Sequence, residues 1–499
     1  MGLSSRIAVG LAVVLGGPLG IRDARPTDED VPIGERPAIL VHVDQGRIEA
    51  GEVRLQELIR RGRILFDAVF NSLDGQGRPT STGGGAPRAP GQPAFIRTSA
   101  PDANSCLGCH AQPRSGGAGD FVVNVFVLAQ TLDPVTLSVD GAFSNERNTL
   151  GMMGAGPIEM LAREMSAELI ATREAARAQA AATGLAVSRP LRAKGVSFGS
   201  INALPDGRVD PTGIQGVDCD LIVKPFHQKG AVVSLREFSN NAMNHHHGMQ
   251  SAERFGAGMD ADGDGMSDEL TVGDITAITV FQASLNTPGR VLPADPVRRA
   301  AAERGEHVFS SLGCANCHVP SMVLNDPVFT EPNPFNPPGN LRPSDVSRPF
   351  SFDLTRQGPG PRLERLPGGR ALVRAFTDLK RHDLSDDDYA HFSNEQVPQG
   401  SLLGFAPPSA FTTTLPPRPT REFLTRKLWD AGNTAPYGHR GDLTTLTEAI
   451  HYHGGEARSV RDAFFILPAE DQAAVIEFLR TLQILADGSP RVVVEPSRN

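Results

Sequence analysis

Gly305-Glu-His-Val-Phe309-Ser-Ser-Leu-Gly313-Cys314-Ala-Asn-Cys317-His318 is the stretch on which the fold turns. Its second half is Cys-x-x-Cys-His, the attachment signature of a c-type haem, in which two thiols add across the porphyrin vinyl groups and the adjoining imidazole is set beneath the iron. Another copy, Cys106-Leu-Gly-Cys109-His110, lies upstream. A zinc site wants further Cys or His at matching spacing, and a redox dithiol needs no following His. Two copies therefore imply two covalent c-type haems, attached through Cys106, Cys109, Cys314 and Cys317, with His110 and His318 as proximal iron ligands. They use four of the five cysteines and leave Cys219 as a small buried hydrophobe.

The first half of the stretch belongs to a helix, Ala300 to Phe309, with Gly305 and Phe309 four apart on one face. Gly-x-x-x-Phe just ahead of Cys-x-x-Cys-His resembles the first helix of a cytochrome c fold, where a small residue allows a close helix crossing. Gly62-Arg-Ile-Leu-Phe66 repeats the pattern inside a helical stretch from Val53 to Phe70. The complementary helix starts at Leu467-Pro468, with acids in its first turn, and lines one side with Val475, Ile476, Phe478, Leu479 and Leu482. Met160 to Thr183 is strongly helical, Ala231 to Phe238 reads as a strand, and Asn325 to Pro361 as Pro-rich loop. The expectation is a mainly α chain of two cytochrome c-like domains, residues 25–287, enlarged with loops and some β, and residues 288–499, divided at Thr287-Pro288.

With 499 residues, 39% hydrophobic and 21% charged, the composition suits a globular protein of two or three domains, and 52 Gly and 40 Pro imply much loop. A net charge of −9 argues against a nucleic-acid partner and offers no basic membrane-binding patch. Arg6 precedes an apolar run from Ile7 to Leu19, the length of a signal-peptide core and too short to span a bilayer. Residues 1–24 are thus expected to be a signal peptide. Bacterial haem attachment on the exported side of the membrane points the same way, to a periplasmic protein without stable membrane insertion.

Ala435-Pro-Tyr437-Gly-His439-Arg-Gly441, continuing through Thr445-Leu446-Thr-Glu448-Ala-Ile-His451-Tyr-His453-Gly-Gly455, adds a longer pattern. It is similar to the Ala-Pro-Tyr-x-His-x-Gly…Thr-Leu-x-Glu-Ala segment of the bacterial di-haem cytochrome c peroxidase superfamily, which includes the methylamine-utilisation di-haem enzyme. The chain resembles most its di-haem oxidoreductase branch, over roughly residues 50 to 485, and His382-Asp383 is similar to that branch too. The resemblance implies that the place of the superfamily's distal Met on the C-terminal haem falls on His453, giving bis-histidine ligation, with His451 as the fallback. Gly156-Pro157-Ile158-Glu159-Met160 is similar to a Gly-Pro…Glu-Met segment whose Glu lies over the peroxide-binding haem. Glu159 is accordingly the expected general acid/base, because peroxide must lose a proton from one oxygen and gain one on the other.

This chain also departs from that pattern. A Trp-Asp-Gly segment placed between the haems in the peroxidases falls here on Ser138-Val139-Asp140-Gly141, and the only Trp is Trp429. No His follows His110 at the short distance of the peroxidases' displaceable ligand. His246 and His247, in Asn241-Ala-Met-Asn-His245-His246-His247-Gly248, are candidate caps for that iron or members of a polar loop. Asp260, Asp262, Asp264 and Asp268, with Gly265 at the turn, match the start of an EF-hand-type calcium loop, although position twelve is Thr271 rather than Glu.

The expected function is a periplasmic di-haem oxidoreductase. Peroxide or O₂ would meet the N-terminal haem near Glu159, and electrons from a small carrier protein or another donor would pass through the C-terminal haem. A non-catalytic di-haem electron-transfer cytochrome and a haem dioxygenase are the alternatives.

Overall fold

A computed structural model of the chain describes residues 35–77, 99–100, 104–120, 122–125, 146–261, 263–386 and 421–495. Residues 1–24, Ser138–Gly141 and Asp262 lie outside that range. Among the described residues eleven α-helices follow one another: α1 (Gln45–Glu49), α2 (Leu55–Asp67), α3 (Cys106–Cys109), α4 (Ala155–Thr183), α5 (Leu235–His247), α6 (Ala252–Phe255), α7 (Val272–Ala283), α8 (Pro296–Leu312), α9 (Leu446–His451), α10 (Arg458–Phe465) and α11 (Ala469–Thr481).

Two helix crossings organise them. In α2 the buried face is Leu58, Gly62, Leu65 and Phe66, and it crosses α7. A Cβ on Gly62 would collide with the carbonyl of Ala277, so only glycine lets the two backbones approach this closely. α8 buries Ala302, Gly305 and Phe309 and crosses α11, and a Cβ on Gly305 would strike the carbonyl of Ala474. Asp295 caps α8 by accepting from the Arg298 amide, with Pro296 in the first turn, where its missing N–H costs nothing.

The chain is nevertheless not the mainly α pair of cytochrome c-like domains expected from the helical periodicities. Helix makes up 38% and strand 15%, and the strands form several small sheets. Val187–Ala193 and Val196–Ala203 pair antiparallel around Lys194 and Gly195, both at positive φ as a tight hairpin turn requires. The Pro-rich stretch after Asn325 holds Val328–Glu331 paired with Phe350–Asp353. Strands of two to four residues are too short to display alternation, which is why composition alone reads them as loop.

The segment read as a strand from Ala231 to Phe238 is mostly helix. Ser234 caps α5 by accepting from the Glu237 amide at 3.0 Å, and the Glu237 carboxylate accepts from the Val233 amide at 2.7 Å. That N-terminal cap outweighs the β-branched Val232 and Val233. His245, His246 and His247 therefore end a helix, closed by Gly248 at φ 68°.

One large apolar cluster draws on both sides of Thr287: Leu58, Phe66, Met165 and Ile278 share it with Leu324, Phe329, Val373 and Trp429. A smaller cluster holds Phe309, Phe376, Phe464, Phe478 and Leu482. The Ala435–Gly441 segment is bound to the residues after the first Cys-x-x-Cys-His: Asn148 donates from its side chain to the Pro436 carbonyl at 2.7 Å and from its amide to the His439 carbonyl at 2.9 Å. Among the described residues no helix is long and apolar enough to cross a membrane.

Candidate functional site: two haem-attachment turns

Both Cys-x-x-Cys-His motifs fold as one tight turn. The His110 amide donates to the Cys106 carbonyl at 2.9 Å, and the His318 amide to the Cys314 carbonyl at 3.0 Å. Gly313, at φ 106°, ends α8 and starts the second turn. Burial pushes the thiols of Cys106 and Cys314 up, to about 12 and about 11. A redox dithiol shows the opposite shift, a thiol stabilised as thiolate.

Each proximal imidazole is oriented in the same way. His110 Nδ1–H donates to the Gly117 carbonyl at 3.2 Å, and His318 Nδ1–H to the Phe376 carbonyl at 3.1 Å. Burial brings both down to about 4, so both rings are neutral at pH 7. A neutral ring that donates from Nδ1 carries its lone pair on Nε2, the atom an iron would take. Phe66 lies 6.2 Å from His110 at 50°, and Phe309 lies 6.2 Å from His318 at 47°. The phenylalanine of each Gly-x-x-x-Phe thus props the histidine of its own turn.

Across from these rings the sites differ. His453, just past α9, has its centroid 6.3 Å from that of His318 at 54°, and its Nδ1–H donates to the Ala449 carbonyl at 2.7 Å. Two imidazoles that share one metal ion, each with a metal–nitrogen bond of about 2.0 Å, have ring centroids up to about 6 Å apart. The residues present therefore fit one iron between His318 and His453. His451 is turned away, exposed and stacked edge-on with Phe465 at 5.5 Å. Facing His110 there is no second imidazole among the described residues. His247 is buried against Phe70, with Nε2 3.4 Å from Cys106 Sγ, and so borders the attachment edge.

Glu159 is fully buried in the first two turns of α4. One oxygen accepts from Arg163, through Nε at 3.1 Å and also through its terminal nitrogen, and from Asn333 at 2.8 Å; the other accepts from the Leu235 amide at 2.7 Å. It fastens α4 to the start of α5 and to the segment after Val328–Glu331. Asp260 accepts from the amides of Gly263, Asp264 and Gly265, Asp264 from Met266, and Asp268 from Gly258, while Thr271 and Asp274 cap α7.

Two features escape the sequence. His382 lies between Asp378 and Glu456, 2.8 Å from each carboxylate, and its ligand atoms and those of Asp378 lie within 4.8 Å of Cys317 Sγ. Burial lowers its basicity, but the hydrogen bonds to Asp378, Cys317 and Glu456 carry it up to about 11. The other is the strap Arg426-Lys427-Leu428-Trp429-Asp430, which runs between the two turns. The Arg426 carbonyl faces the His318 ring, and the Leu428 amide donates to the Ala375 carbonyl at 2.9 Å. Lys427 Nζ donates to the Gly151 carbonyl at 2.9 Å, next to Leu150, whose carbonyl faces the His110 ring. Only its solitary Trp could have flagged it.

Residues 418–482 match a family model described as "Di-haem oxidoreductase, putative peroxidase". The match takes in the strap, Ala435–Gly441 and His453. No curated protein matches the chain. Among solved structures it is similar to hydrazine synthase of Kuenenia stuttgartiensis, in a xenon-pressurised form, with 14% identity over 96% of this chain and 100% of that one and a TM-score of 0.32. It is also similar to a MauG-like protein associated with microbial copper homeostasis, with 18% identity over 56% of this chain and 75% of that one and a TM-score of 0.24. Superpositions this loose leave the fold to rest on the chain's own geometry.

Proposed function

We propose that this chain, a di-haem redox enzyme related to the peroxidase-like superfamily, reduces peroxide at its first attachment turn with electrons relayed through its second. The observation that carries the proposal is the asymmetry across the rings: His318 faces His453 at 6.3 Å, whereas His110 faces no imidazole among the described residues. Bound haem would supply an iron able to take a ligand and to pass single electrons, and His110 at the first turn and His318 with His453 at the second would hold it. Cys106 and Cys109 tether one such group and Cys314 and Cys317 the other, each by two thioether bonds. The Gly117 and Phe376 carbonyls hold the proximal rings in the tautomer that presents Nε2.

In this proposal Glu159 moves the proton. It does so by exchanging one of its four hydrogen bonds for one to substrate, with Arg163 keeping the carboxylate in place. Residues 1–24 direct export to the periplasm, where a small carrier protein or another donor supplies electrons.

The test is peroxide-dependent oxidation of a reduced electron donor by the purified protein carrying both haems. Turnover lost in His110→Ala and slowed in His453→Ala is expected. Absence of turnover, with added cyanide binding neither iron, would identify an electron carrier instead, and incorporation of O₂ into an organic substrate would identify a dioxygenase.

A further inference from the structure

The strap between the turns runs without helix or strand to Leu428 and turns at Trp429 and Asp430, where the Ala431 amide donates to the Leu428 carbonyl at 2.9 Å. Leu428 packs into the cluster of Phe309 and Phe376 and bonds to Ala375, on the side of the second turn. Lys427 and Trp429 both reach the segment from Gly151 to Gly154. Lys427 reaches Gly151, and the Trp429 ring lies so close to Gly154 that a Cβ there would collide with it. Gly151 and Gly154 directly follow Leu150, whose carbonyl faces His110.

Trp429 is a buried donor without an acceptor, and the partly buried Lys427 has only an uncharged one. Trp429 is 1% exposed, and its indole N–H has no partner among the described residues. A buried N–H that gives up water for nothing destabilises the fold. Lys427 spends one of three N–H groups on the Gly151 carbonyl, an uncharged acceptor. The nearby carboxylate, Asp430, is engaged by Arg426 at 3.3 Å. A partly buried ammonium held only by a carbonyl gains from a further negative charge beside it. An ammonium and an unpaired indole N–H against the same backbone segment suit an anion.

We infer that Lys427 and Trp429 bind a carboxylate of the haem attached at Cys106 and Cys109, an inference that rests on the di-haem reading above. A haem carries its carboxylates at the ring edge and is tethered here within reach of His110, whose ring already feels the Lys427 charge. No second molecule is needed to answer the two donors. The pair thereby ties the first haem to a strap whose Leu428 is built into the second site. Lys427 and Trp429 are positioning residues, and they bias the first iron towards the reduced state by compensating the carboxylate's charge.

The test is a redox titration of the holoprotein, followed optically and by EPR so that the two irons are read separately, in wild type, Trp429→Phe, Lys427→Met and Lys427→Arg. Trp429→Phe and Lys427→Met should keep two haems per chain and lower the reduced-to-oxidised ratio of the first component roughly tenfold at fixed potential, about 59 mV for one electron. The second component should not move, and Lys427→Arg should stay near wild type. Should Trp429→Phe fail to fold, the two lysine variants carry the same comparison. No shift in either variant, or a shift of the second component, overturns the inference. So does a wild-type first component that responds to added acetate while the variants do not, because the pair would then hold a free anion. Wild-type protein with fewer than two haems would instead overturn the di-haem reading itself.

Discussion

The two attachment turns are alike on one side and unlike on the other. Phe66 and Phe309 stand at the same 6.2 Å from His110 and His318, and each ring donates to one backbone carbonyl. Opposite the rings, the second turn meets His453, and the first meets no imidazole among the described residues. A repeated helix crossing thus sets how the histidine of each turn is held, while the segments outside the crossing decide what faces it. Differences in chemistry between the sites need no difference in their scaffold.

The largest effect is expected at Glu159, the proton-transfer group of the proposal. Glu159→Gln strands a buried Arg163, which should cost about 3–5 kcal/mol of stability, and it should slow peroxide turnover on the order of 100-fold. Adding Arg163→Met should restore most of the melting temperature but none of the turnover. Recovery of both would reduce Glu159 to a fastener and move the proton transfer elsewhere.

Next come the crossings themselves. Gly62→Leu and Gly305→Leu each force a side chain into a facing carbonyl, which should cost about 3 kcal/mol or more. Haem content measured on the purified variants should fall from two to one, at the first site for Gly62→Leu and at the second for Gly305→Leu. Loss of both haems in either variant would show that the two crossings are not independent.

His453→Ala should make the sites alike. The second iron should pass from low to high spin and bind cyanide, with the first spectrum unchanged. A second iron that stays low spin would reject His453 as its ligand.

The smallest effect is on alkaline stability, and it belongs to the second turn alone. His382 is raised from an ordinary value near 6.5 to about 11 in the folded chain. A raised histidine contributes fully below the unfolded value, and that contribution is lost as pH rises through the folded one. Denaturant midpoints should therefore decline between about pH 6.5 and 11, and His382→Gln should flatten that decline. An unchanged slope would mean that the pair with Asp378 and Glu456 adds no stability.

How much of this was legible depends on whether a feature is local. The Cys-x-x-Cys-His turns are closed by bonds within five residues, and the Gly62/Phe66 and Gly305/Phe309 faces have helical spacing, so both could be read directly. His453 was legible only through resemblance, since its partner His318 is far away in sequence. The cap Ser234-Leu-Arg-Glu237 was present but was outweighed by Val232 and Val233, and α5 was missed. Lys194-Gly195 between two alternating runs is a hairpin signal that also went unread. The two-to-four-residue strands carry no period, and the role of Lys427 and Trp429 exists only once Gly151 and Gly154 are folded against them. Tertiary proximity of that kind has no sequence signature.

The EPR spectrum of the fully oxidised protein tests the central comparison most directly. One low-spin bis-imidazole ferric signal and one high-spin ferric signal, in equal amounts, are the predicted result. Two low-spin signals, or two high-spin ones, would contradict it.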